Sequence, residues 1–106
     1  RAGELEPVQH AATGTATAIE LAEGGRVLTL TDLDVSNGPD LRVQLVSGPA
    51  RGEGDVGDVV DLGALKGNRG NQQYELPARL DLSRHSTAVI WCRAFSVNFA
   101  RAPLRR

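Results

Sequence analysis

Residues 87–100 read TAVIWCRAFSVNFA. Thr87 to Cys92 and Ala94 to Ala100 are dense in β-branched and aromatic residues and carry the strongest strand signals in the chain. Read as one unbroken strand, residues 91–99 would place Trp91, Phe95, Val97 and Phe99 on one face. Cys92 would join Ala94, Ser96 and Asn98 on the other, away from the aromatic core side. Arg93 would then point into the core, so the reading includes a bulge between Cys92 and Phe95.

Working back toward the N-terminus, the same two-residue period recurs. Leu41 to Val46 (LRVQLV) alternates, with Leu41, Val43 and Leu45 on one face. Arg26 to Leu33 (RVLTLTDL) and Thr13 to Leu21 (TGTATAIEL) flank Glu23-Gly24-Gly25 and form a hairpin, glycine supplying the positive φ of the turn. Thr15, Thr17, Ile19 and Leu21 share one face of the first strand, and Ala16, Ala18 and Glu20 the other. Ser36-Asn37-Gly38-Pro39-Asp40 is dense turn chemistry. Val59 to Leu62 is a short apolar run, and Ala78 to Ser83 has Leu80 and Leu82 at alternate positions.

Two segments read as loops. Ser47 to Gly57 is Gly-rich and polar, a surface loop and the expected most mobile part. Gly63 to Pro77 (GALKGNRGNQQYELP) is too rich in glycine for a helix and reads as an ordered loop ending in an extended segment, Gln73 to Leu76. No segment keeps an i, i+3, i+4, i+7 apolar pattern over three turns, although Gly54 to Val60 or Leu80 to His85 has room for one helical turn. Short strands at about ten-residue spacing predict an all-β fold, an antiparallel β-sandwich with Gly/Asn-rich ordered loops. The whole chain reads as one domain, with residues 1–8 as a linker or tail from an upstream anchor.

The chain has 106 residues, 41% hydrophobic and 24% charged, with a net charge of −1, ordinary values for a folded globular domain. One cysteine, Cys92, and no methionine are present. A single thiol cannot close an intrachain disulfide or hold an iron–sulfur cluster, and a His/Met haem or a blue-copper axial methionine is excluded. A pI near 6.1 and scattered basic residues argue against a nucleic-acid surface. No apolar run is long enough to span a membrane.

The chemistry candidates are few. Cys92 has Arg93 beside it, and a neighbouring cation favours the reactive thiolate; against this, a free cysteine is most often a buried packing residue. His10, His85 and Cys92 are the residue types of a trigonal copper site, but both histidines precede the cysteine and the spacing does not support it. Asp32, Asp34 and Asp40 lack a calcium-loop register and read as a solvated turn. Lys66-Gly67-Asn68-Arg69-Gly70-Asn71 offers amides and cations to an anion, yet lacks the spacing of a phosphate loop and reads better as a loop bonded to itself. Lys66 is the only lysine in an arginine-rich chain. No hydrolase motif is present.

The chain also resembles a known family. The resemblance runs through His10-x-x-x-Gly14-Thr15, Val27-Leu28-x-Leu30 and Asn37-Gly38-Pro39-Asp40-Leu41-x-Val43-x-Leu45. It continues in Asp61-Leu62-Gly63-x-Leu65-Lys66-Gly67-Asn68 and Gly70-Asn71-Gln72-x-Tyr74-x-Leu76-Pro77, and ends in Val89-Ile90-Trp91-Cys92-x-x-Phe95-x-Val97-x-Phe99-Ala100-x-Ala102-x-Leu104. These motifs, in order over nearly the whole chain, resemble the DM-thirteen domain, an electron-transfer module of extracytoplasmic proteins. The resemblance implies a β-sandwich with Cys92 as the redox centre, as a free thiol or as a ligand to haem or, less favoured, copper. It makes His10 the second ligand or hydrogen-bond partner. It also implies a secreted or N-terminally anchored chain, no stand-alone enzymatic activity, and a redox protein or small ligand as partner. His85 stands where the family pattern leads one to expect tyrosine, which weakens a ligand role there. The alternative is a non-enzymatic cell-surface binding module in which the cysteine is structural. Its loops Asn37 to Asp40 and Lys66 to Tyr74 would frame a groove, so that the groove candidates are Asn37, Asp40, Lys66, Asn68, Asn71, Tyr74 and Trp91.

Overall fold

The computed structural model describes residues 1–52 and 55–106. The strands are β1 (Ala2–Glu4), β2 (Glu6–Pro7), β3 (Ala12–Glu20), β4 (Arg26–Val35), β5 (Leu41–Val46), β6 (Val59–Ala64), β7 (Arg69–Glu75), β8 (Thr87–Cys92) and β9 (Val97–Pro103), and alternating apolar residues set the central ones, β4, β5 and β8. They form two antiparallel sheets, one ordered β1-β3-β4-β7 and the other β2-β9-β8-β5-β6. No helix occurs among the described residues. The all-β sandwich expected from the sequence is what the chain forms.

The core lies between the sheets. Leu28, Leu30, Leu33 and Val35 of β4 face Leu41, Val43 and Leu45 of β5 and Ala88, Ile90 and Cys92 of β8, with Phe99 from β9. The alanines of β3 point inward, Ala16 fully buried, while Ile19 on the other face is 40% exposed. Small residues there let the sheets approach. β4 keeps its leucines inward only by a bulge between Leu30 and Leu33, where Asp32 takes a φ of 51°.

Three expectations are corrected. Residues 91–99 are not one strand; the chain turns at Arg93–Ser96 into a hairpin, so Phe95 sits at its tip, 64% exposed. The register irregularity falls in β9, where Ile90 pairs with Ala100 and Trp91 with Asn98. Phe99 is thereby the extra residue and turns into the core. The faces are also exchanged: Cys92 is in the inter-sheet core and Trp91 is on the outer face. Second, Arg69–Glu75 is a strand paired with β4, where a loop with a shorter extended end is expected. The apolar residues on β4 supply the burial that the polar sequence of β7 lacks. Third, residues 1–8 form β1 and β2, the chain passing from one sheet to the other at buried Leu5. A Cβ on Gly3 would lie 2.0 Å from the Pro103 carbonyl oxygen, so this close crossing requires glycine.

Residues 47–52 fold back on the outer face of the second sheet, where Ala50 is fully buried against Val46 and Val89. The expected mobility of Ser47 to Gly57 falls partly on Glu53 and Gly54, which lie outside the described residues, as does the start of the suggested helical turn at Gly54. Residues 80–85 form hydrogen-bonded turns and no helix.

Candidate functional site

The chain crosses between the sheets twice at one end of the sandwich, through residues 36–40 after β4 and through 65–68 after β6. The two crossings are tied to each other and to the strands. Val35 N donates to Asn68 O at 3.0 Å, and Leu65 N to Leu41 O at 2.8 Å. The Asn68 amide also donates to Val35 O at 3.3 Å. Together they enclose a cleft of about 290 Å³ with Asn37, Gly38, Asp40, Leu41, Gly67 and Asn68 in its walls.

Each side of the cleft is built locally. Asn37 Oδ1 accepts from Gly38 N at 3.0 Å, an asparagine turn of the usual kind. Asp40 takes a φ of 57°. Its carboxylate accepts from Arg93 Nε at 2.5 Å and its carbonyl from Arg93 N at 3.0 Å. Gly38 packs so closely that a Cβ would lie 2.7 Å from the Phe99 ring. The exposed His10 ring meets the same Phe99 ring, centroids 3.9 Å apart and tilted 40°.

Cys92 lies beneath this turn. It is fully buried, and its Sγ donates to Pro39 O at 3.0 Å. Among the described residues the thiol's hydrogen-bond partner is this backbone carbonyl, which accepts a bond but is no base. His10 is connected to it only indirectly, through Phe99 and the Gly38–Pro39 backbone.

The second crossing is bonded to itself. Lys66 N donates to Tyr74 Oη at 2.9 Å and to Gln72 Oε1 at 3.2 Å. The Tyr74 hydroxyl donates to Gln72 Oε1, and Gln72 Nε2 to Gly67 O at 2.8 Å. Lys66 Nζ donates to Gln73 O at 2.5 Å and stands 5.0 Å from the Tyr74 ring centre. Burial pushes the Tyr74 phenol pKa up, against a smaller lowering by the Lys66 amide. These bonds use the Lys66 amide and ammonium, so the loop is a structural one and not an open anion cradle. Asn71 serves another purpose: its Oδ1 accepts from Asp32 N at 2.9 Å and closes the β4 bulge.

The structure thus brings together Asn37, Asp40 and Asn68 at the cleft, with Lys66 and Tyr74 in the adjoining network and Cys92 below. Asn71 is set apart at the bulge. Trp91 is on the outer face of the second sheet, in a different groove. Asp34 pairs with Arg69 and Asp40 with Arg93. Among the described residues, no three His, Cys, Asp or Glu side chains form a metal-ligand set. Pro39, Phe99, Arg93 and Gln72 complete the site. Pro39, Phe99 and Gln72 lie within the quoted motifs, but their spacing alone does not reveal that they supply a carbonyl, a wall and a side-chain bridge.

Compared with known proteins, the chain matches the family model described as Electron transfer DM13 over residues 4–104. No curated protein and no solved structure matches it.

Proposed function

The chain belongs to the Electron transfer DM13 family, and from that premise we propose that it is a non-enzymatic, extracytoplasmic module that docks a redox partner at the cleft between residues 37–40 and 65–68, with Cys92 as the anchor of that cleft. Electron transfer is the role the family carries. The anchoring role is supported by one observation above all, the hydrogen bond from the buried Cys92 thiol to the Pro39 carbonyl. A cycling thiol needs access and a stabilised thiolate. Here the sulfur is fully buried and its hydrogen-bond acceptor is a neutral backbone carbonyl.

Haem does not fit the residues present. An axial ligand must aim its donor atom into a cavity wide enough for a porphyrin. Cys92 aims at a backbone carbonyl, and neither Cys92 nor His10 lines the cleft of about 290 Å³. One face of the His10 ring is taken up by Phe99. A protein partner suits the cleft better, because its wall includes Asp40, whose carboxylate pairs with the exposed Arg93. The extracytoplasmic placement rests on the family resemblance.

Haemin titration followed in the Soret region tests this reading. Any band formed is expected to be the same in wild type, Cys92→Ser and His10→Ala. A band lost or shifted by either substitution would assign that residue as a ligand and overturn the anchoring role.

A further inference from the structure

A second groove, of about 370 Å³, lies on the outer face of the second sheet, away from the cleft already described. Its walls are Gln44, Val56, Val59, Trp91, Ser96 and Asn98. None of these side chains is charged. Its volume falls at the low end of small-molecule sites, which run from about 300 to 1,000 Å³, so it suits one ring system.

Gln44 is the informative residue. It interrupts the apolar sequence of β5 and is only 8% exposed, yet its side-chain amide has no hydrogen-bond partner among the described residues, in contrast with Asn98, whose Nδ2 donates to Gly52 O at 3.2 Å. The amide opens onto the groove, where water can satisfy it and a ligand can take that water's place. Beside it Trp91 offers an indole ring for stacking, and Val59, 45% exposed, offers an apolar rim.

We propose that this groove binds a small, uncharged, planar ring carrying a carbonyl oxygen, of the quinone type. The ring stacks on Trp91 and contacts Val56 and Val59, and the Gln44 amide donates to the carbonyl. One amide suits both states of such a ligand: its NH2 donates to a quinone carbonyl, and its oxygen accepts from a quinol hydroxyl. The binding rests on the groove alone; its use in electron transfer rests on the family role.

Trp91 is the sole tryptophan, so its fluorescence reports the groove directly. The test is titration with duroquinone, whose full substitution prevents thiol addition. Saturable quenching is expected, with affinity reduced about tenfold in Gln44→Leu, the loss of one buried hydrogen bond to the ligand. Val59→Asp, at an exposed position and so compatible with folding, is expected to weaken binding by at least as much. Quenching that rises linearly without saturation overturns the proposal, as does saturable quenching that neither substitution alters. A saturable response to N-acetylglucosamine with none to duroquinone would give the groove to a glycan and also overturn it. None of these results bears on the accessibility of Cys92, so the two readings fail separately.

Discussion

The Sγ of Cys92 donates a hydrogen bond to the carbonyl oxygen of Pro39 at 3.0 Å, joining the last residue of β8 to the chain crossing that walls the cleft. The two residues are far apart in sequence and meet because β8 and β5 are antiparallel neighbours, with Cys92 opposite Leu41.

Cys92→Ala removes the sulfur and leaves a small void at a fully buried position. Loss of the hydrogen bond and of packing is expected to lower stability by about 2 kcal/mol. Urea unfolding checks this as a lower midpoint with an unchanged slope. A midpoint equal to that of the wild type would mean that the thiol anchors nothing.

Gly38→Ala puts a methyl group 2.7 Å from the Phe99 ring. Phe99 is 2% exposed and cannot move freely, so the turn must shift. A loss of about 1–3 kcal/mol is expected, together with a changed His10 imidazole NMR signal, since His10 stacks on the same ring.

How far the site was legible differs from residue to residue. The two-residue alternation of LRVQLV and TAVIWC places β5 and β8 correctly, because apolar residues at every second position have one way to be buried in a sandwich. Alternation does not say which face is inside. Trp91 and Cys92 are adjacent, both are common in cores, and the choice between them is made by Leu41, Val43 and Ile90 around the thiol. Phe95 reads as a strand residue because its neighbours do; the hairpin turn there contains neither glycine nor proline and is made possible by Ser96 at a φ of 54°. β7 is hidden for the opposite reason, since Gly-Asn-Gln-Gln has no strand composition and is held by pairing with β4. The loops Asn37–Asp40 and Lys66–Asn68 were visible as motifs, but their meeting at one cleft depends on both being sheet-to-sheet crossings at the same end.

Tyr74→Phe removes the hydroxyl that binds Lys66 N and Gln72, at an expected cost of about 1 kcal/mol. The pH dependence follows from the raised phenol pKa. Above the ordinary value of 10.0 the unfolded chain gives up the phenol proton while the folded chain keeps it, so this stability is full below pH 10.0 and is lost as the pH rises toward the higher folded value. Unfolding midpoints across alkaline pH should fall less steeply in Tyr74→Phe than in wild type.

Arg42 and Asp61 form a two-bond pair, Nε to Oδ1 at 3.1 Å and Nη2 to Oδ2 at 2.5 Å. The bond to Arg42 holds the Asp61 carboxyl below its ordinary 3.8. Its contribution is present above that value and is lost as the pH falls through the lower folded one. Asp61→Asn is expected to flatten the acid limb of stability, and salt should reduce the difference between the two proteins at neutral pH, because the pair is partly exposed.

The central claim, that Cys92 is a closed anchor and not a cycling thiol, is tested most directly by the rate at which Ellman's reagent modifies the chain's single cysteine. In the native protein at neutral pH the account predicts no reaction faster than global unfolding, and in guanidinium the prompt release of one thiol equivalent. Rapid modification of the native protein, with a rate already maximal below neutral pH, would show an accessible thiolate and contradict it.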